Sequence, residues 1–238
     1  MAVFLYSIFA YIIGLVGQVW FILYLGDWSF LETIHLPQHS VTWIAVLVDT
    51  ILVSVFALQH SMMARHWFKE KLTIYMPDVT ERSTYVLLSG VALLLIVLYW
   101  HPIDGFVWKF EDGILWWVLT LMMLFGWLFS VVATFIINHF ELFGLQQGYL
   151  HLKDKTMPES YFQEKFLYKF IRHPIQLGVL MGIWFTPVMT YGHLLLSILF
   201  TLYIFIGLYY EERDLVLELG DVYKDYKQRV GMMFPKEF

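Results

Sequence analysis

Arg172-His173-Pro174, then PIQLGVLMGIWFTPVMTY (174–191), then GHLLLSILFTLYIFIGLYY (192–210), then Glu211-Glu212-Arg213-Asp214, is the stretch that decides the fold. Between the two charged clusters no Asp, Glu, Lys or Arg occurs, and His193 is the one histidine. The two apolar runs hold 18 and 19 residues, which as helix is about 27–29 Å each, roughly one hydrocarbon thickness. With Tyr191-Gly192 as the turn, they predict an antiparallel hairpin that returns Glu211 to the membrane face where His173 began.

Composition places the rest of the chain in the same setting. Hydrophobic residues make up 59% and charged residues 15% of the 238, against about 25% charged in a soluble domain. Four more long uncharged runs read as spans: Val3–Leu25, Val41–Gln59, Ser83–Trp100 and Ile114–Ile137. The first has no preceding Lys or Arg and no small-residue cleavage site, so it reads as a span, not as a cleaved signal. The expectation is one all-α integral membrane domain over residues 1–238, with about six transmembrane helices. Beyond Asp214, the residues Leu215, Leu219, Val222, Tyr223, Tyr226 and Val230 recur at helical spacing. This tail reads as an interfacial amphipathic helix that Gly220 can divide.

Six crossings put 14 of the 15 Lys and Arg residues on one side and Lys109 alone on the other. The positive-inside rule then predicts cytoplasmic termini, and the expected location is a bacterial inner membrane. No basic run points to nucleic acid. Zero cysteines exclude disulfides, thiolate metal sites and a cysteine nucleophile. His60 and His66 are six apart, and no HExxH occurs, so the pattern argues against a metal.

The polar residues gather on the expected cytoplasmic side: Gln59-His60-Ser61-Met62-Met63-Ala64-Arg65 after the second span, and Asn138-His139-Phe140-Glu141 after the fourth. Together, RHPxxxG (Arg172, His173, Pro174, Gly178), the hairpin, EERD (211–214) and a tyrosine-rich tail resemble the isoprenylcysteine carboxyl methyltransferase superfamily. QHSMMAR (59–65), INHFELFGLQQ (137–147), FTPVMTYGHLL (185–195) and EERDLV (211–216) are most similar to its methanethiol S-methyltransferase and nurim-like branch. The resemblance covers roughly residues 40–235. Gln176 stands where that superfamily commonly carries an aromatic.

The resemblance implies S-adenosylmethionine as cofactor and a small thiol such as methanethiol as acceptor, with membrane lipids as surroundings. It also leaves open a lipidic or prenylcysteine-like acceptor and a nurim-like scaffold without catalysis. The cofactor-binding part would be the hairpin and tail, about 165–235. Arg172, His173, Pro174, Gln176 and Gly178 would line the pocket at one tip, with Gly178 allowing a close approach. Glu211, Glu212 and Arg213 would serve at the other. Pro174 suits the first turn of a helix, whose free N–H groups attract a carboxylate.

Displacement at a sulfonium needs alignment, dryness and an ionised thiol. A thiol of pKa ~8.5 costs near 2 kcal/mol to ionise at neutral pH, at ~1.36 kcal/mol per unit. His60 and His139 are candidate proton acceptors, and Gln59, Arg65, Asn138 and Glu141 candidate orienting groups. Asn138 and Glu141, three apart, are expected on one helix face. Asp49, within the second span, reads either as a buried structural acid or as part of the site.

Overall fold

A computed structural model describes residues 1–28, 30–35, 41–158 and 162–236. Its helices are α1 (Ala2–Leu25), α2 (Thr42–Met63), α3 (His66–Leu72), α4 (Glu81–Tyr99), α5 (Gly113–Ile137), α6 (His139–Leu142), α7 (Leu145–Leu152), α8 (Pro174–Trp184), α9 (Tyr191–Leu219) and α10 (Asp221–Arg229). Two short strands, β1 (Phe106–Lys109) and β2 (Val188–Thr190), pair antiparallel. Five helices are long and apolar enough to cross a membrane: α1, α2, α4 with the turn before it, α5 and α9. The chain is an all-α integral membrane protein. In hydrocarbon a helix satisfies its own backbone groups, which is why runs this apolar fold this way.

The chain divides into two compact units. One comprises Met1–Lys109, His139–Pro158 and Val188–Leu196; the other comprises Phe110–Asn138, Glu159–Pro187 and Ser197–Phe238.

In the first unit α1 packs on α4 where Gly17 meets Gly90 backbone to backbone. Small residues let membrane helices approach this closely, and hydrogen bonds across the contact replace water. Tyr6 bonds Thr84 (2.7 Å), and Ser83 donates to Ser7 (2.9 Å). Asp49, fully buried in α2, accepts the backbone N–H of His101 just past the end of α4 (2.8 Å). That contact ties the middle of α2 to the segment after α4.

In the second unit α5 packs on α8. A Cβ built on Gly178 would sit 2.6 Å from the Gly126 carbonyl oxygen and 2.6 Å from the Ser130 nitrogen. The missing side chain of Gly178 is thus used by a helix–helix contact. Trp184 Nε1 donates to Thr201 (2.9 Å) and Ser197 to the Ile183 carbonyl (3.0 Å), fastening α8 to α9.

The hairpin departs from expectation at its first arm. α8 has 11 residues, about 16 Å of helix, and does not run to residue 191. Pro187 explains the break: proline lacks an N–H and disfavours helix at the residue before it, here Thr186. The chain continues extended, Val188–Thr190 pair with β1, and Tyr191-Gly192 form the first turn of α9. β1 lies between α4 and α5 and β2 between α8 and α9. Among the described residues five helices are long enough to cross, and the sixth expected span, 174–191, is represented by the shorter apolar helix α8 and the extended stretch after it.

The tail departs in the opposite direction. α9 runs through EERD to Leu219, so these charges lie inside a helix and not at its end. Gly220, at φ +60°, separates α10 from it, a backbone state open to glycine at little cost. Tyr223, Tyr226 and Val230 are buried against Phe162, Leu215, Val216 and Leu219.

Candidate functional site

The RHP and EERD motifs meet at one carboxylate. Pro174 opens α8 with His173 as its N-cap, and Leu177 N–H to His173 C=O is the first intrahelical bond. That leaves the amides of Ile175 and Gln176 in the first turn, before the ladder begins. Glu212, two turns from the end of α9, faces this tip and is 4% exposed. Its Oε1 accepts from Arg172 Nε (2.7 Å) and Nη2 (2.7 Å) and lies 3.0 Å from His173 Nε2; its Oε2 accepts from Lys227 Nζ (2.8 Å). A carboxylate that collects a guanidinium, an ammonium and an imidazole is an electrostatic hub.

Arg172 extends the hub into the tail. Its Nη1 donates to the carbonyls of Val230 and Lys227, while its backbone N–H donates to Gly231 (2.9 Å) and that of His173 to Met232 (3.1 Å). Ile171 and Gly231 form a parallel bridge. Burial pushes the Tyr226 phenol up to about 12, so it remains a donor, here to the Tyr168 carbonyl (2.6 Å). The residues of the RHP tip are thereby pinned by α9, α10 and the segment after it.

The cofactor-binding candidates divide accordingly. Arg172, His173, Pro174 and Glu212 come together. Glu211 and Arg213 flank the hub on exposed faces of α9, and Gln176 is half-buried on α8. Gly178 is buried against α5, as described above. Lys227 was missed by sequence reading. Its signal was weak: one of two lysines in a tail helix, three residues before the buried Val230.

Apart from Asn138, the remaining candidates lie in the first unit, where His60 and His139 are each paired with a phenol. His60 lies between Tyr85 OH at Nε2 (2.5 Å) and Ser89 Oγ at Nδ1 (3.0 Å). Gln59 reaches Met63 Sδ (3.1 Å) and the Ser89 hydroxyl (3.4 Å). Arg65 is the N-cap of α3. His139 Nε2 lies 3.0 Å from Tyr11 OH, and the ring stacks on Phe143 (4.4 Å between centroids). Burial holds the His139 imidazolium below its ordinary range. The Glu141 carbonyl accepts from Gln147 (3.0 Å).

Asn138 corrects one expectation. It caps α5 at φ 178°, and α6 starts at the next residue, so Asn138 and Glu141 do not share a helix face. The extended backbone at Asn138 breaks the ladder that the spacing argument requires. Tyr11, Tyr85 and Ser89 were not singled out from the sequence, because a hydroxyl in an apolar span has no local signature of its partner. Among the described residues no group of three His, Cys, Asp or Glu is placed to hold a metal ion.

No protein-family model and no solved structure matches the chain. Over 98% of its length it is 43% identical to methanethiol S-methyltransferase 1 of Bradyrhizobium diazoefficiens, covering 81% of that protein. It is 42% identical over 97% of its length to the methanethiol S-methyltransferase of Mycobacterium tuberculosis, covering 95% of it. Bovine nurim is 31% identical over 75% of both chains. A hub built on RHP and EERD, in an all-α membrane chain with likeness of this extent, settles the assignment: the chain belongs to the methanethiol S-methyltransferase family.

Proposed function

We propose that this chain transfers a methyl group from S-adenosylmethionine to methanethiol, giving dimethyl sulfide, in the cytoplasmic membrane of a bacterium with both termini inside. The observation that carries the reading is the convergence of Arg172, His173 and Lys227 on Glu212, in a chain more than 40% identical to two proteins bearing that activity as their name. The 14-to-1 split of basic residues and the β1–β2 pairing support the orientation.

The residues of the hub fit a zwitterionic nucleotide. The first-turn amides of Ile175 and Gln176, at the positive end of α8, suit its carboxylate. Exposed Glu211 and the Oε2 side of Glu212 suit its ammonium or ribose hydroxyls, with Arg213 beside them. Arg172 and His173 act one step back: they hold Glu212 ionised and oriented in a site that excludes water. When bound, the sulfonium supplies an already activated methyl group. The chain itself supplies alignment of the acceptor, a low dielectric that favours cancelling charges, and a route for the thiol proton.

Headspace analysis of membranes given methanethiol and S-adenosylmethionine tests this. Dimethyl sulfide that disappears in Glu212→Ala supports the reading. Methylation of lipidic thiols or carboxylates with no dimethyl sulfide would replace the acceptor, and absence of any methyl transfer would overturn the reading.

A further inference from the structure

The two oxygens of Glu212 are held unequally. Oε1 takes the buried partners, Arg172 Nε and Nη2 and His173 Nε2, from residues no more than 8% exposed. Oε2, among the described residues, has Lys227 Nζ alone (2.8 Å), and that side chain is 37% exposed. The first oxygen is fixed by two guanidinium nitrogens and an imidazole. The second is closed by an ammonium on a flexible stem that water reaches. The open end of the hub is the Glu212–Lys227 pair, and both residues belong to the second unit.

The backbone beneath Lys227 does not share the freedom of its side chain. Its carbonyl accepts from Arg172 Nη1 (3.3 Å) and from Lys236 Nζ (2.7 Å). Those bonds anchor α10 at this turn and leave the four-carbon stem free to swing. The other two cations of α10 have carboxylates of their own: Lys224 pairs with Asp221 (2.8 Å) and Arg229 with Glu164 (2.7 Å). Of the three, Lys227 is the one turned to Glu212.

We infer that Lys227 reads the amino-acid end of the methyl donor by exchanging partners with it. The donor's ammonium takes Oε2 of Glu212, and the released Lys227 takes the donor's carboxylate, a role it shares with the first-turn amides of α8. The inference deepens the S-adenosylmethionine reading above and rests on it. A zwitterion inserted into a lysine–carboxylate pair gives an alternating row: Arg172, Glu212, ammonium, carboxylate, Lys227. No charge in that row lacks an opposite neighbour. With the site free, the same lysine keeps Oε2 compensated. A ligand with an ammonium but no carboxylate must displace Lys227 and offers it nothing in return. A ligand with neither group has nothing to exchange.

The test is calorimetric binding of three nucleosides to the purified full-length protein. S-adenosylhomocysteine, the donor without its methyl group, carries both charges. Its decarboxylated form carries the ammonium alone, and methylthioadenosine carries neither. Lys227→Met keeps an unbranched stem and removes the charge. It should weaken S-adenosylhomocysteine by about tenfold, the lower end for a hydrogen bond to a charged group. Methylthioadenosine should bind the variant as it binds the wild type. The decarboxylated form should bind the variant more tightly than the wild type, because its competitor for Oε2 is gone. Lys227→Arg, which keeps the charge, should hold S-adenosylhomocysteine within a few-fold of wild type. A loss in Lys227→Met that extends to the decarboxylated form, or no loss for S-adenosylhomocysteine, overturns the exchange while leaving the donor reading intact. A wild type that binds none of the three overturns both.

Discussion

Arg172 and Glu212, 40 positions apart in sequence, meet through two guanidinium nitrogens on one carboxylate oxygen, both at 2.7 Å and with neither residue more than 8% exposed. Breaking a buried pair by removing one partner leaves an uncompensated charge, at a cost of about 3–5 kcal/mol. Glu212→Ala should therefore lower the melting temperature of detergent-purified protein by several degrees and abolish measurable binding of S-adenosylmethionine by calorimetry. Unchanged melting and binding would show that the hub is incidental.

Lys227 should behave differently. Its side chain is 37% exposed, and a pair with one solvated partner contributes ~0–1 kcal/mol. Lys227→Met is expected to leave the melting temperature within a degree or two of wild type. Any change in S-adenosylmethionine affinity should then come without loss of fold, which separates the two roles of the hub. A collapse as large as that of Glu212→Ala would contradict this ranking.

Gly178→Ala should force α5 and α8 apart, because the added methyl meets the Gly126 carbonyl and Ser130 backbone at 2.6 Å. Overpacking of this kind costs about 1–3 kcal/mol. Gly207→Ala in α9 is the control: nothing lies within 4 Å of its Cβ, and helix propensity favours alanine by up to ~1 kcal/mol. Thermal melts of the two variants should move in opposite directions.

His139 gives a pH dependence of stability. Its folded-state pKa lies below the ordinary value of 6.5 because burial disfavours the imidazolium. As pH falls past 6.5 the unfolded chain takes up a proton first, so stability present above that value is lost on acidification. The glutamine variant cannot titrate there. The gap in melting temperature between wild type and His139→Gln should narrow, or reverse, from pH 7.5 to pH 5.5; a constant gap would contradict the assignment.

How much of this was legible beforehand follows from the range over which each signal acts. Five of the six expected spans are readable from uncharged run length, and the approach of RHP to EERD from two apolar runs joined by a short turn. The shortness of α8 was readable too, in Thr186-Pro187, but uniform hydrophobicity across 174–191 hid a proline break. What the sequence left dark are partners chosen by three-dimensional packing. Tyr11 and His139 are 128 positions apart, and nothing local in Tyr11 distinguishes it from neighbouring aromatics. Gly178 was expected to leave room for a nucleotide, yet its missing side chain is filled by α5. Lys227 contributes to the hub only because Gly220 turns α10 back toward Arg172.

The extended stretch after α8 has its own bearing on biogenesis. The amides and carbonyls around Pro187 are taken up by residues 105–110: Phe110 N–H bonds the Pro187 carbonyl (3.0 Å), and Tyr191 N–H bonds that of Gly105 (3.1 Å). Strand β1 leaves the ribosome before α5 exists, and its complement emerges only after α8. Translocon insertion of Pro174–Thr190 as an autonomous segment would strand those groups in lipid. Completion of the final loop is therefore expected to come last in assembly, and excising 106–109 should leave the stretch around 187 open to aqueous labelling while the earlier spans insert normally.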